Sequence, residues 1–177
     1  MEKRRPFIDF KNNYLVESGT FLGEGIQEAL DNGFKNIISY EIFPVTCLKA
    51  IEKFKDYPNV TIYFKSSVDM LDDIIKINEP ITFWLDGHYS SGYTSFDPNN
   101  YYPLLKELEA ISNHPIKTHT ICIDDRRLMK KTSEFTSETI GVTEEEVIEA
   151  LYKINRNYKI IYRDGYIKDD VIIAYIE

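Results

Sequence analysis

Two cysteines in 177 residues are too few for a disulfide framework. Cys47 falls in a helical pattern and Cys122 in a strand-like one, so both read as buried thiols of a reducing compartment. Histidine appears only three times, which leaves few side chains able to exchange a proton near neutrality. Basic residues are outnumbered by acidic ones, 21 to 29, and the formal net charge is -8. A nucleic-acid backbone is therefore a poor partner. No apolar run reaches the roughly 18 residues of a membrane span, and no signal-peptide core is present. These absences point to a cytoplasmic chain with no nucleic-acid partner and no membrane partner. What is there suffices for one domain with a full core, since 43% of the residues are hydrophobic. The basic run Lys3-Arg4-Arg5 is expected to be frayed, residues 1–13 to be an N-terminal tail, and residues 14–177 the single domain.

The stretch Tyr14-Leu-Val-Glu-Ser-Gly-Thr-Phe-Leu-Gly-Glu-Gly-Ile26 carries the most information. A short apolar strand ends in a turn containing Gly19, Gly23 and Gly25, and a helical pattern follows at once. Such a turn lets a ligand approach bare backbone at the carboxyl end of a parallel strand. Glu17 lies inside the turn, where an acid accepts a hydrogen bond or pairs with a cation. It would repel a pyrophosphate, and the glycine spacing departs from G-x-G-x-x-G, so a dinucleotide is not expected. Glu41 ends a second strand about 20 residues on, the offset at which an acid meets a ribose hydroxyl pair. A tight turn without a ligand and a solvated strand-end acid are the plain alternatives.

Strand and helix patterns then alternate along the chain. Strands are expected at 36–42, 60–64, 81–85 and 118–123, after the first at Tyr14. Helices are expected at about 26–33, at 44–54 with Leu48, Ile51 and Phe54 on one face, at 67–75 with Ser67 as N-cap, and at 102–111. Thr143-Glu-Glu-Glu146 reads as a capping box for a helix to about 154. Residues 158–162 and 171–175 close the chain as an antiparallel hairpin around Asp164-Gly165. Alternation of this kind predicts an α/β architecture: a Rossmann-like, doubly wound, mostly parallel seven-stranded sheet with an antiparallel last strand and helices on both faces.

Asp86 ends the fourth strand, and Asp124 and Asp125 end the fifth. In a parallel sheet both ends open on the same edge. Three carboxylates meeting there repel one another unless a cation neutralises them, and oxygen ligands suit Mg²⁺ or Ca²⁺. A helix cap and a solvated acid are the bland reading. His88 lies two residues past Asp86 and is the best-placed base of the three histidines; His114, before Pro115, reads as surface and His119 as part of a strand. No Cys or Ser has a convincing partner for covalent catalysis. The aromatic, hydroxyl-rich loop 89–102 can stack on sugar faces or serve as a packed lid. Arg126 and Arg127 can recognise a phosphate or carboxylate, or pair with Asp124 and Asp125.

This order of elements resembles the class I S-adenosylmethionine-dependent methyltransferase fold from Tyr14 to Tyr175. The carrying residues are Glu17-Ser-Gly-Thr-Phe-Leu-Gly-Glu-Gly25, Glu41, Ser66-Ser67, Trp84-Leu-Asp86-Gly-His88 and Ile123-Asp124-Asp125. The acids resemble those of metal-dependent O-methyltransferases of the catechol and macrocin types. That resemblance implies S-adenosylmethionine bound by Glu17, Gly19, Thr20, Gly23, Gly25, Glu41, Ser67 and Asp86, with Ser67 or Asp69 near the adenine. It implies Mg²⁺, or another divalent cation, on Asp86, Asp124 and Asp125, and His88 with Asp86 as catalytic residues. The acceptor it implies is a hydroxyl of a sugar, glycan or other small polyhydroxylated molecule. Helices that usually roof such a site before the first strand have no counterpart in the short stretch ahead of Tyr14, which favours a homo-oligomer or a large acceptor. A cofactor-binding protein that is inactive or metal-independent, and a metal-dependent hydrolase, are the other classes; Glu17 is wrong for the phosphate cradle a phosphohydrolase needs.

Overall fold

The computed structural model describes residues 4–88, 102–129 and 142–177. Seven strands form one sheet in the order β3-β2-β1-β4-β5-β7-β6. They are β1 (Tyr14–Ser18), β2 (Asn36–Glu41), β3 (Val60–Phe64), β4 (Ile81–Leu85), β5 (Thr120–Ile123), β6 (Lys159–Arg163) and β7 (Val171–Tyr175). Helices α1 (Glu24–Asp31), α2 (Pro44–Phe54), α3 (Leu71–Ile74), α4 (Leu104–Asn113) and α5 (Glu144–Ile154) connect them. Strands β1 to β5 pair in parallel, and β7 runs antiparallel to both β5 and β6. The mostly parallel sheet with a reversed last strand, expected from the alternation, is present.

Side chains alternate between two faces, as the pleat requires. On one face Val16, Phe83 and Ile121 pack with Ile74, with Leu108 and Ile111 of α4, and with Val147 and Leu151 of α5. On the other, Leu15, Trp84 and Cys122 pack with Ile26 and Ala29 of α1 and Phe54 of α2. That second face is completed by a 3-10 turn, Pro6–Phe10, ahead of β1. Phe7 is fully buried there, with ring centroids 5.7 Å from Phe34 and 5.5 Å from Trp84. Burying a phenylalanine contributes about 1.5–3 kcal/mol. Arg5 anchors the same segment: its backbone N–H and its guanidinium both reach the Glu28 carboxylate, at 2.8 and 3.0 Å. Residues 5–10 are thus part of the packed domain, contrary to a frayed tail, because two apolar side chains fill a sheet face that α1 leaves bare.

Several boundaries shift for local reasons. α1 begins at Glu24, two residues before the expected start, because Gly23 in a left-handed conformation (φ 77°) turns the chain directly into it. The 67–75 helix divides into a 3-10 turn, Ser67–Asp69, and the single turn of α3. Ser67 caps neither; its hydroxyl is drawn inward to Glu107. α2 buries Thr46, Cys47, Ala50 and Phe54, while Leu48 and Ile51 are exposed. Small residues let α2 sit close on the sheet, which outweighs the larger side chains at the expected spacing. The capping box is present, with Thr143 and Glu146 exchanging both bonds.

His114 is fully buried, contrary to the surface position expected. It forms a chain with His119 at the starting edge of the strands. The Ile81 N–H donates to His119 Nδ1 (3.1 Å), which leaves the His119 proton on Nε2 to meet His114 Nδ1 (3.1 Å). His114 Nε2 in turn donates to the Ile74 carbonyl (3.1 Å). Both rings are satisfied only when neutral. Burial, with His114 and Lys117 beside it, pulls the His119 imidazole down to about 3 from 6.5. The folded state therefore refuses a proton that the unfolded chain accepts, and stability is lost as pH falls from 6.5 toward 3. An NMR titration of the His119 ring is expected to show no protonation above pH ~4; protonation near 6.5 would contradict the neutral chain.

Candidate active site

Register places the chemistry. Ser18 of β1 lies beside Leu85 of β4, and Leu85 beside Ile123 of β5. The ladder runs one step further, with Asp86 N–H donating to the Ser18 carbonyl (3.3 Å) and Asp124 N–H to the Leu85 carbonyl (3.1 Å). Gly19, Asp86 and Asp124 therefore leave the sheet side by side.

The glycine turn is packed against protein at each glycine. At Gly19 (φ 81°) a Cβ would lie 2.4 Å from the Asp86 carbonyl oxygen, and at Gly23 2.4 Å from the Phe54 ring. At Gly25 it would lie 1.8 Å from Glu17 Oε1, so the bare α-carbon admits the Glu17 carboxylate to the first turn of α1. Glu17 is buried and accepts a hydrogen bond from Ser39 Oγ (2.6 Å), whose oxygen also meets Thr20 Oγ1 (2.6 Å). Burial pushes the Glu17 carboxyl up to about 7, against the pull of the Ser39 hydroxyl and Arg5. Glu41 accepts from Phe21 N–H and Phe43 N–H, both at 2.8 Å, one on each oxygen. It fixes the turn after β1 to the end of β2, and each oxygen keeps a second acceptor position.

The acids and His88 meet one step further along the edge. His88 Nε2 lies 2.9 Å from Asp125 Oδ2, and Nδ1 lies 3.6 Å from Asp86 Oδ1. Asp86, His88 and Asp125 offer ligand atoms within 4.8 Å of one another, and so do Asp124, Asp125 and Asp170. Asp125 belongs to both groups. Its backbone is left-handed (φ 59°), a strained conformation for a residue with a side chain, of the kind found at functional sites. Burial alone would raise the Asp125 carboxyl, but His88 and Arg127 together hold it below its ordinary value. Asp86 has less compensation. Burial, then the fields of Asp124, Asp125 and Glu17, hold its carboxyl well above the usual range. Burial and Asp125 push the Asp124 carboxyl up to about 6.

Two contributors, Asp170 and Glu107, escaped the sequence reading, and Arg127 takes the pairing role that was one of the two open to it. Arg127 pairs with both Asp125 and the buried Asp170, and so neutralises the middle of the acid cluster from inside the protein. Arg126 is engaged elsewhere, 2.9 Å from Glu144 and stacked on Tyr162. Asp170 was legible in principle, since a reversed last strand brings its first residues to the same edge as the end of β5. Glu107 was legible too: it stands on the apolar stripe Leu104, Leu108, Ile111 of α4, where an acid needs a reason. It is buried and accepts from Ser67 Oγ (2.5 Å) and from Ser18. Burial raises its carboxyl, opposed by those two hydroxyls. Ser18 Oγ also receives the Asp86 N–H (3.2 Å), so Glu107 ties the ends of β1 and β4 to the turn after β3. Ser67 thus faces inward. Residues 89–101 of the loop expected at 89–102 lie outside the described residues, as do residues 130–141. Among the described residues no helix is long and apolar enough to cross a membrane.

No protein-family model matches the chain, and no curated protein resembles it in sequence. Solved structures do resemble it in fold. A Streptococcus mutans protein assigned as a methyltransferase, in complex with SAH, superposes with a TM-score of 0.59 at 13% identity, covering 96% of this chain and 94% of that one. A Clostridium thermocellum protein assigned as an rRNA methylase gives 0.59 at 14% identity, over 94% and 92%. A Staphylococcus aureus protein assigned as a caffeoyl-CoA O-methyltransferase gives 0.57 at 14% identity, over 93% and 76%. The chain has the Rossmann-like methyltransferase fold.

Glu17 yields a signed expectation. Its folded-state pKa of about 7 exceeds the ordinary 4.5, so the folded protein binds the proton more tightly. Stability attributable to this group is present below pH 4.5 and is lost as pH rises to about 7. The loss amounts to about 3 kcal/mol. Glu17→Gln, which keeps an acceptor for Ser39, is expected to flatten the urea-denaturation stability profile across that window. An unchanged slope would mean that Glu17 is ionised without cost.

Proposed function

We propose that this chain is an S-adenosylmethionine-dependent O-methyltransferase acting on a hydroxyl of a sugar or another small polyhydroxylated acceptor, with a divalent cation assisting. The observation that carries this reading is His88 held between Asp86 and Asp125 beside the glycine turn, at the strand ends of a methyltransferase fold. The caffeoyl-CoA O-methyltransferase assignment of one structural neighbour agrees with oxygen as the acceptor. Other neighbours are assigned to rRNA, but the net charge of -8 weighs against a phosphate backbone as partner.

The donor is cationic and the corner that would receive it is acidic. Glu17 lies at the end of β1, and Glu41 offers its remaining acceptor positions to a ribose diol. Asp125 accepts the Nε2 proton of His88, which leaves the lone pair on Nδ1. That nitrogen takes the proton of the acceptor hydroxyl, and the imidazolium so formed stands between two carboxylates. The enzyme's further part is alignment of oxygen, methyl and sulfur for direct displacement.

Oxygen donors of this kind suit a divalent cation, and they fall in two groups that share Asp125, Asp86 with His88 and Asp124 with Asp170. Arg127 already offsets Asp125 and Asp170, whereas Asp86 and Asp124 have raised pKa values that a second cation would relieve. Asp86, Asp124 and Asp125 would hold it through oxygen, the donor type that suits Mg²⁺. When bound, such an ion lowers the pKa of the acceptor hydroxyl and so assists His88.

Two substitutions separate donor binding from chemistry. Glu41→Ala is expected to weaken S-adenosylmethionine binding by about 1–3 kcal/mol, the worth of a charge-assisted hydrogen bond. Calorimetry reads it, and unchanged affinity removes Glu41 from this role. Asp124→Asn is expected to abolish methyl transfer while leaving the donor affinity nearly intact, and a chelator is expected to do the same until Mg²⁺ is restored. Turnover indifferent to chelator would leave His88 and its two acids to act without a metal.

A further inference from the structure

We propose that the acceptor carries an anionic group, phosphate or carboxylate, and that Arg4 and Arg163 receive it at the outer end of a trough leading away from Asp124. This rests on the methyltransferase reading above and names the substrate class of that same site.

Two adjoining cavities make the trough. The inner one, about 670 Å³, reaches from Asp124 and Glu24 at the strand ends, across Trp84, to Arg4 and Arg5. The outer one, about 450 Å³, continues from Arg4 and Arg5 to Tyr162, Arg163 and Asp164. They share Arg4, Arg5, Pro6 and Asp164, so they lie side by side along the N-terminal segment. Each volume is in the range that holds a small molecule. The inner lobe therefore touches the acid cluster at Asp124, while Asp86 and His88 line a separate small cavity, and the outer lobe ends outside the acidic corner.

Charge changes sign along the way. The inner lobe is acidic, with Glu24, Glu28, Asp31, Asp124 and Asp164 against Arg4, Arg5 and Lys53. In the outer lobe Arg4, Arg5 and Arg163 outnumber Asp9 and Asp164. In a chain with net charge -8, arginines gathered at one end of a cavity are not explained by general composition. Nor are they all consumed by internal pairs. Arg5 is engaged with Glu28, but the Arg4–Asp9 pair is exposed at both partners, where such a pair is worth little. Arg163 bonds only the Tyr162 carbonyl and lies 5.9 Å from the Phe10 ring, with no carboxylate partner among the described residues. The guanidinium fork suits phosphate and carboxylate oxygens in two-point contact. Tyr166 stands at the rim of the inner lobe, 82% exposed and stacked on Arg127, as an aromatic wall against which a sugar face can lie. Arg126 and Arg127, for which anion recognition and pairing with acids were both open, are committed to Glu144, Asp125 and Asp170, and the trough supplies other arginines.

The test measures calorimetric affinities of glucose 1-phosphate, glucuronate and glucose for the full chain saturated with S-adenosylhomocysteine. At least one of the two anions is expected to bind ten-fold or more tighter than glucose, and the tighter one identifies the group. Arg4→Gln/Arg163→Gln is expected to erase that preference with S-adenosylhomocysteine affinity unchanged, which also verifies that the variant is folded. Equal affinity for all three probes, absence of anion binding, or a preference that survives in the double variant would each overturn the inference. Failure of the wild-type chain to bind S-adenosylhomocysteine would instead overturn the methyltransferase reading itself.

Discussion

Mutual repulsion among carboxylates at one edge of the sheet is the constraint on which the rest of this molecule turns. Glu17, Asp86, Asp124 and Asp125 are brought together by strand register, Glu17 and Asp125 buried and Asp86 and Asp124 partly so. Such a corner is tolerable only with compensation. Arg127 supplies it inside the cluster, and Arg5 supplies it from the segment before β1. What remains uncompensated appears as carboxyls that hold their protons near neutrality. Carboxyls perturbed in this way by burial and like charge gather at functional sites.

The surrounding structure keeps that corner in one arrangement. Glu107 takes hydroxyls from Ser18 and Ser67, and Ser18 holds the Asp86 backbone. The turn after β3 and Asp86, the first residue after β4, are thus both tied to β1. Glu41 does the same for the glycine turn through two backbone amides. The segment Pro6–Phe10 closes the opposite sheet face and carries Arg5 into range of Glu17 and Asp86. Packing and electrostatics are coupled there, since the burial of Phe7 positions the compensating charge.

Much of this was legible in the residues. Alternating apolar runs identify the strands, and the Asp164-Gly165 turn identifies the hairpin, because period and turn chemistry are local. The acids after β4 and β5 were legible because a parallel sheet sends successive strand ends to one edge. Partners were less so. Arg127 next to Asp124-Asp125 allowed two readings, and only the fold brings Asp170 from 45 residues downstream of Asp125 to decide between them. The glycines were read as openings for a ligand, yet each is filled by a neighbour whose approach the sequence does not encode. His114 looked like surface because its partner lies across the fold.

Proton linkage reports directly on the charge state of this corner. A cation entering the corner must ionise carboxyls that hold protons near neutrality, with Glu17 up to about 7 and Asp124 about 6. Calorimetry of S-adenosylmethionine binding at pH 6.5, repeated in buffers of different ionisation heat, counts the protons exchanged. Net proton release on binding is the result expected. Binding without proton release, or no binding, would contradict the view that these acids are held in readiness for a cationic ligand.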